Sequence, residues 1–388
     1  MPRYTGGAIN AMKLSIDSHF DSGNIRVLDI NANPLRLAIE PDHDSHFYQW
    51  FYFCVSGGKG RSELRLCLEN ASGAAFPEGW NHYQVVASYD RQEWFRVPSH
   101  YHDGQLFFDH GAQYDQVWYA YFAPYSWERH LDVLAWAQQS ANCRSEQLGQ
   151  TLDGRPLHLL TVGEASPGKY KVWLTARQHP GETMAQWAME GLLQQLLDPQ
   201  DACARRLLQQ AVFYLLPNMN PDGSVRGHLR TNAAGVNLNR EWQTPSLSAS
   251  PEVALTLQRM HDTGVDLFID LHGDEEIPYV FLVTNEGIPG YSHRLQQLEQ
   301  QFKAQLLRSC ADFQTTYGYP LDKPGQANMT MASCAVGQAF DCLSLTLEMP
   351  FIDNHNLPDT TYGWSVERSR ATGRALLPTM AAIMPELR

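Results

Sequence analysis

Along the first third of the chain, apolar and aromatic positions come in short runs broken by Gly, Pro and Asn. Phe47 to Val55 is almost unbroken in its aromatic character and closes on Ser56-Gly57-Gly58-Lys59-Gly60, a turn composition. Arg61 to Glu69 alternates charged and apolar residues, the period of a half-buried strand. Tyr83 to Tyr89, Trp94 to Val97, Leu106 to Asp109 and Val117 to Phe122 continue the series. Short aromatic strands spaced by roughly ten residues predict an antiparallel β-sandwich that ends near Pro124.

Beyond Pro124 the texture changes. Ser126 to Gln139 has helical spacing. Apolar strands are predicted at Leu157 to Val162, Lys171 to Ala176, Val212 to Leu216, Val265 to Leu271 and Leu343 to Leu347. Met184 to Leu197, Pro251 to Thr263 and His293 to Ser309 lie between them with a helical period. Strands alternating with helices predict an α/β fold with a mixed, largely parallel sheet flanked by helices. The expected division is a sandwich domain over 1–124 and an α/β domain over 125–388.

Composition narrows the function. The chain has 388 residues and a formal charge of −13, which argues against nucleic-acid binding, since phosphate contacts need a basic face. No run approaches the ~20 apolar residues that span a bilayer. Seven cysteines, an odd number with no CxxC pair, suit reduced thiols in a reducing compartment. The N-terminus lacks a basic-then-apolar signal pattern, so a cytoplasmic location is expected. Met12 is an alternative start.

The candidate chemistry gathers at strand ends. His179 and Glu182 stand three apart across a Pro-Gly turn, just after the strand ending at Ala176. With 15 His and 42 acidic residues, roughly 1.6 such pairs arise by chance, and His100/Asp103 and His272/Glu275 are others. Position gives the first pair its weight. His272 is expected to end the strand Val265 to Leu271, and Glu348 the strand Leu343 to Leu347, with Pro350 as a stop. Parallel strands deliver their C-terminal ends to one sheet edge, where ligands bind. Two His and one Glu, with a fourth position left to water, make the ligand set of catalytic zinc in hydrolases. The polar loop from Pro217 to Trp242 starts at the same edge and carries Arg230, Asn239 and Arg240. Arg offers a planar fork for a carboxylate or an oxyanion. Asp42-His43-Asp44-Ser45-His46 reads as a polar loop, and His100-Tyr101-His102-Asp103 as a turn.

These blocks together resemble the zinc metallocarboxypeptidases of the pancreatic carboxypeptidase superfamily, and above all its cytosolic subfamily. The matching segments are His179-Pro180-Gly181-Glu182, Asn220-Pro221-Asp222-Gly223, Gly235 to Trp242, Asp270-Leu271-His272-Gly273 and Leu345-Thr346-Leu347-Glu348, in the family order. Gln49 to Phe53, Trp94 to Arg96 and Val117 to Tyr125 are similar to that subfamily's β-domain. The resemblance implies a metallocarboxypeptidase fold and one zinc ion per chain held by His179, Glu182 and His272. It implies Glu348 as general base and acid, Arg230 as the group polarising the scissile carbonyl, and Asn239 with Arg240 as the clamp for the substrate's terminal carboxylate. Asp270 is either an orienting partner of a ligand imidazole or a cap or turn carboxylate.

Two features depart from the resemblance. Tyr317 and Tyr319 both fall where the digestive enzymes carry a mobile Tyr. Lys323 to Asn328 stands where the cytosolic subfamily has an Arg associated with acidic side chains, so a preference for glutamate tails is expected only if Lys323 compensates. The implied substrate is the C-terminus of a peptide or protein. A zinc-dependent N-acyl amino acid deacylase and a non-catalytic peptide-binding relative are the alternatives. No chemistry is legible in the N-terminal third. Fold analogy gives it the mouth of the site or self-association into a homo-oligomer.

Overall fold

The computed structural model describes residues 13–59 and 63–387. Met12, and with it the alternative start, lies outside the described residues, as do Gly60 and Arg61 at the first predicted turn and the strand after it.

Two five-stranded sheets face each other in the N-terminal third. One has the order Ser15–Asp17, Tyr52–Ser56, Gln116–Ala120, Val86–Ser88, Phe95–Arg96, all antiparallel. The other runs Arg26–Asp29, Leu35–Ala38, Leu64–Leu68, Gln105–His110, Ser99–His102, with one parallel pair between its second and third strands. Alternation explains the inward faces: Leu35 and Leu37 are buried on either side of exposed Arg36, and Leu64 and Leu66 on either side of exposed Arg65. Phe51, Phe53, Tyr119 and Tyr121 pack in one aromatic group between the sheets. The turn reading of His100 to Asp103 is corrected. His100 and His102 belong to the strand Ser99–His102, and only Asp103 (φ 50°) and Gly104 (φ 79°) form the two-residue hairpin turn.

The second unit is a seven-stranded mixed sheet, in the order Cys143–Gln150, Pro156–Val162, Ala211–Leu216, Tyr170–Ala176, Leu267–Asp274, Leu343–Pro350, Phe281–Val283. The four strands from Ala211–Leu216 to Leu343–Pro350 are parallel, and antiparallel strands flank them. The predicted helices at 251–263 and 293–309 form with those bounds, and Thr183–Leu196 lies one residue from its expected start. Two expected strand ends move. Leu267–Asp274 continues past Leu271, and Leu343–Pro350 includes Pro350, so His272 and Glu348 lie inside their strands as register partners.

The helix Thr183–Leu196 packs on the C-terminal helix Val366–Ile383, and the crossing is close enough to exclude any side chain at Gly373. A Cβ there would lie 1.8 Å from the Ala188 carbonyl oxygen. The sandwich is fastened to this layer by polar and aromatic contacts. The half-buried Arg96 guanidinium donates to the carbonyls of Phe351 (2.7 Å) and Trp364 (3.0 Å), and Tyr121 stacks on Phe351 at 4.5 Å. Among the described residues no helix is long and apolar enough to cross a membrane.

Candidate active site

The turn that carries His179 is fixed before any metal is considered. Arg177 has a left-handed φ of 63° and a buried guanidinium that donates to the carbonyls of Pro180 (2.9 Å) and Tyr125 (2.8 Å) and to Gln186 Oε1 (2.8 Å). Gly181 donates to the Leu229 carbonyl at 2.8 Å, and Glu182 caps the start of Thr183–Leu196. Gly273, next to His272, allows that helix to come close: a Cβ would meet Met184 Sδ at 2.4 Å.

His179, Glu182 and His272 meet as expected, with ligand-capable atoms within 4.8 Å of one another and all three side chains buried. Glu182 lies between the imidazoles, its two oxygens 2.6 Å from His179 Nδ1 and 2.7 Å from His272 Nδ1. Gly273 N–H donates to the second oxygen at 3.0 Å. The far nitrogens are also engaged: His179 Nε2 is 3.0 Å from Asn237 Oδ1, and His272 Nε2 is 2.7 Å from Asp270 Oδ2. Asp270 is held in turn by Thr175 Oγ1 at 2.6 Å and by Gln178, which accepts from Trp242 Nε1 at 2.7 Å. Asp270 therefore sits inside a strand and orients an imidazole; it is neither a cap nor a turn residue. With each Nε2 facing an acceptor, both Nδ1 atoms face Glu182 and are the nitrogens placed to bind a metal ion.

Electrostatics distinguishes the two imidazoles. Burial, with Arg230 adding to it, pushes His179 down to about 4 against the pull of Glu182. Burial also opposes charge on His272, but Asp270 and Glu182 outweigh it and hold this group well above the ordinary range. Burial would raise Glu182, yet His179 and His272 hold it below the usual carboxylate range. A cation that replaces the His272 proton meets two nitrogens and a carboxylate in a dry pocket, a donor set that fits zinc with a position to spare.

The remaining predicted residues line the same cavity: Arg230, Asn239, Arg240 and Glu348. Glu348 lies beside His272 in register, and its Oε2 is buried with no hydrogen-bond partner among the described residues. Burial, then Glu182, push its carboxyl well above the usual range, with His272 opposing. Asn239 Oδ1 accepts from Ala332 N–H at 2.8 Å, and Arg240 Nη1 donates to the Asn239 carbonyl at 2.6 Å. Burial, and Arg230 nearby, lower the Arg240 pKa. Among the described residues neither Arg230 nor Arg240 forms an ion pair; Arg230 lies over the rings of Phe76 (5.3 Å) and Phe47 (5.6 Å).

Sequence reasoning missed several residues of this cavity. Of the two tyrosines left open by the sequence, Tyr319 lines it and donates to Asp274, whereas Tyr317 stacks on Tyr279 at 4.2 Å and is not part of the lining. Asp274, Glu275 and Phe76 also line it, and Asn237 holds His179. Asn237 stood inside a recognised block, two residues from Asn239; Phe76 gave no local signal. Lys323 is exposed and is not part of the lining.

Comparison with known proteins agrees with this geometry. The cytosolic carboxypeptidase N-terminal domain matches residues 16–122, and the zinc carboxypeptidase family matches residues 128–366. An uncharacterized protein of Zymomonas mobilis is 46% identical over 97% of this chain and 98% of its own. Human cytosolic carboxypeptidase 1 is 30% identical over 62% of this chain, a stretch that spans 23% of the human protein. The solved metallo-carboxypeptidase of Pseudomonas aeruginosa, in complex with (2-guanidinoethylmercapto)succinic acid, superposes with a TM-score of 0.93 at 47% identity, over 96% of this chain and all of that one. The chain belongs to the zinc carboxypeptidase family and is a metallocarboxypeptidase, preceded by the N-terminal domain of the cytosolic carboxypeptidases.

Proposed function

We propose that this enzyme removes the last residue of peptides or proteins that end in a free carboxylate, with His179, Glu182 and His272 holding one zinc ion. The observation that carries this reading is one cavity in which a buried N,N,O donor set faces two guanidinium groups that form no ion pair among the described residues. Zinc bound there supplies Lewis acidity, which brings water toward a pKa of ~7 and polarises a carbonyl. Asn237 and Asp270 fix the imidazole tautomers that present Nδ1. Glu348, which lies beside His272 in the cavity with an unbonded Oε2 among the described residues, takes a proton from the attacking water and passes it to the leaving amine. Arg230 donates to the carbonyl oxygen as charge builds on it. Arg240 and Asn239 bind the terminal carboxylate, so only the last peptide bond reaches the centre.

The domain match upstream supports a peptidase over an N-acyl amino acid deacylase, and the complete ligand and base set supports a catalyst over a peptide-binding relative. The similarity to cytosolic carboxypeptidases supports a cytoplasmic location. A preference for glutamate rests on the resemblance alone, because Lys323 lies outside the cavity lining. The ligand of the Pseudomonas protein combines carboxylates with a guanidinium; the two arginines here supply partners for the carboxylates.

The test removes and restores the metal while release of C-terminal residues from a peptide library is followed by mass spectrometry. Chelation should abolish release and about one equivalent of zinc should restore it. Full turnover by the chelated protein would refute the reading. The same library ranks glutamate against basic and apolar last residues.

A further inference from the structure

Arg230 belongs to the α/β unit by sequence, yet its support comes from the sandwich. Asp42, buried to 3% exposure in the polar loop after the strand Leu35–Ala38, turns its carboxylate onto the segment Leu229-Arg230-Thr231. Oδ1 accepts from Leu229 N–H at 2.7 Å, and Oδ2 from Arg230 N–H at 2.8 Å, Thr231 N–H at 2.9 Å and Thr231 Oγ1–H at 3.0 Å. The same short loop supplies Phe47 under the guanidinium and donates His43 N–H to His228 Nε2 at 3.1 Å. Three consecutive amides and a hydroxyl directed at one side chain suit a carboxylate, whose two oxygens together accept all four bonds.

We propose that Asp42 is a positioning residue for the proteolytic reaction: it sets the backbone from which Arg230 reaches the scissile carbonyl, so the N-terminal domain completes the site. This rests on the role assigned above to Arg230. A donor that stabilises developing charge works only at the correct distance, and a shift of a fraction of an ångström weakens it selectively in the transition state.

The experiment is a double-mutant cycle on the zinc-loaded full chain, with Asp42→Asn, Arg230→Ala and the pair, each checked for zinc stoichiometry and melting temperature. Arg230→Ala alone should lower kcat by about 10²–10³-fold. Asp42→Asn, which sets an N–H against amide donors, should lower kcat by about 10-fold or more, with KM within about twofold and zinc retained. In the Arg230→Ala background it should lower kcat by less than about twofold, since nothing is left to position. Equal losses in both backgrounds, or a loss that falls on KM or on zinc content, would overturn the proposal. A fully active Arg230→Ala enzyme would instead overturn the role of Arg230, so the two failures are distinct. Thr231→Val removes one of the four hydrogen bonds without a buried charge. It should repeat the pattern at smaller size if Asp42→Asn does not fold, and an additive effect would again count against the proposal.

Discussion

The metal side of the cavity and its arginine side are held by different parts of the molecule. His272 is braced from within the parallel sheet, through Asp270, Thr175 and Gln178 on adjacent strands and the turn after one of them, and His179 by Asn237 of the loop in the same α/β unit. Arg230 is braced from outside it, through Asp42, Phe47 and Phe76 of the sandwich. The first arrangement lies mostly within the α/β unit. The second exists only while two layers stay docked. The contrast separates holding the ion from stabilising charge on the substrate, so the two sides should respond differently to substitution.

The largest effect is expected at the point between them. Glu348→Gln keeps the shape of the cavity and should cut turnover by about 10³-fold or more while zinc remains at one per chain, measured by metal analysis beside peptide hydrolysis. Arg230→Ala should cost about 10²–10³-fold in kcat/KM, or ~3–4 kcal/mol, again with full zinc content. Loss of zinc in that variant would erase the distinction between the two sides. Asp270→Asn should do the opposite. Zinc affinity, read by competition with a chelating dye, should weaken about 10–100-fold, and saturating zinc should restore most of the turnover. The smallest catalytic effect is expected at Gly373→Ala, remote from both sides. Overpacking against Ala188 should cost about 1–3 kcal/mol of stability, seen as a lower melting temperature, with kcat/KM nearly unchanged in the folded fraction.

The same contrast explains what was legible in the chain. His179, His272 and Glu348 each follow a short apolar run, and the rule that parallel strands bring their C-terminal ends to one edge gathers them without further information. Arg240 and Asn239 share a recognisable block with Asn237, although nothing in its spacing says that Asn237 holds His179. Asp42 lies 188 positions from Arg230, in a loop whose polar composition fits any surface turn. Its burial depends on docking, which has no period along a sequence. Missed elements have similarly physical causes. Cys143–Gln150 is a half-exposed edge strand with no clean alternation, and Phe281–Val283 is three residues long. Val366–Ile383 contains Gly373 and Pro378, which disguise an 18-residue helix, yet Gly373 is what lets that helix pack so closely.

The central claim is that the zinc centre and the arginine pair act together on a free C-terminus. The most direct measurement uses two peptides identical except that one ends in a carboxylate and the other in an amide, each incubated with the zinc-loaded enzyme and followed by mass spectrometry. The account predicts stepwise loss of last residues from the first peptide and none from the second. Equal cleavage of both, or cleavage at internal bonds, would contradict it.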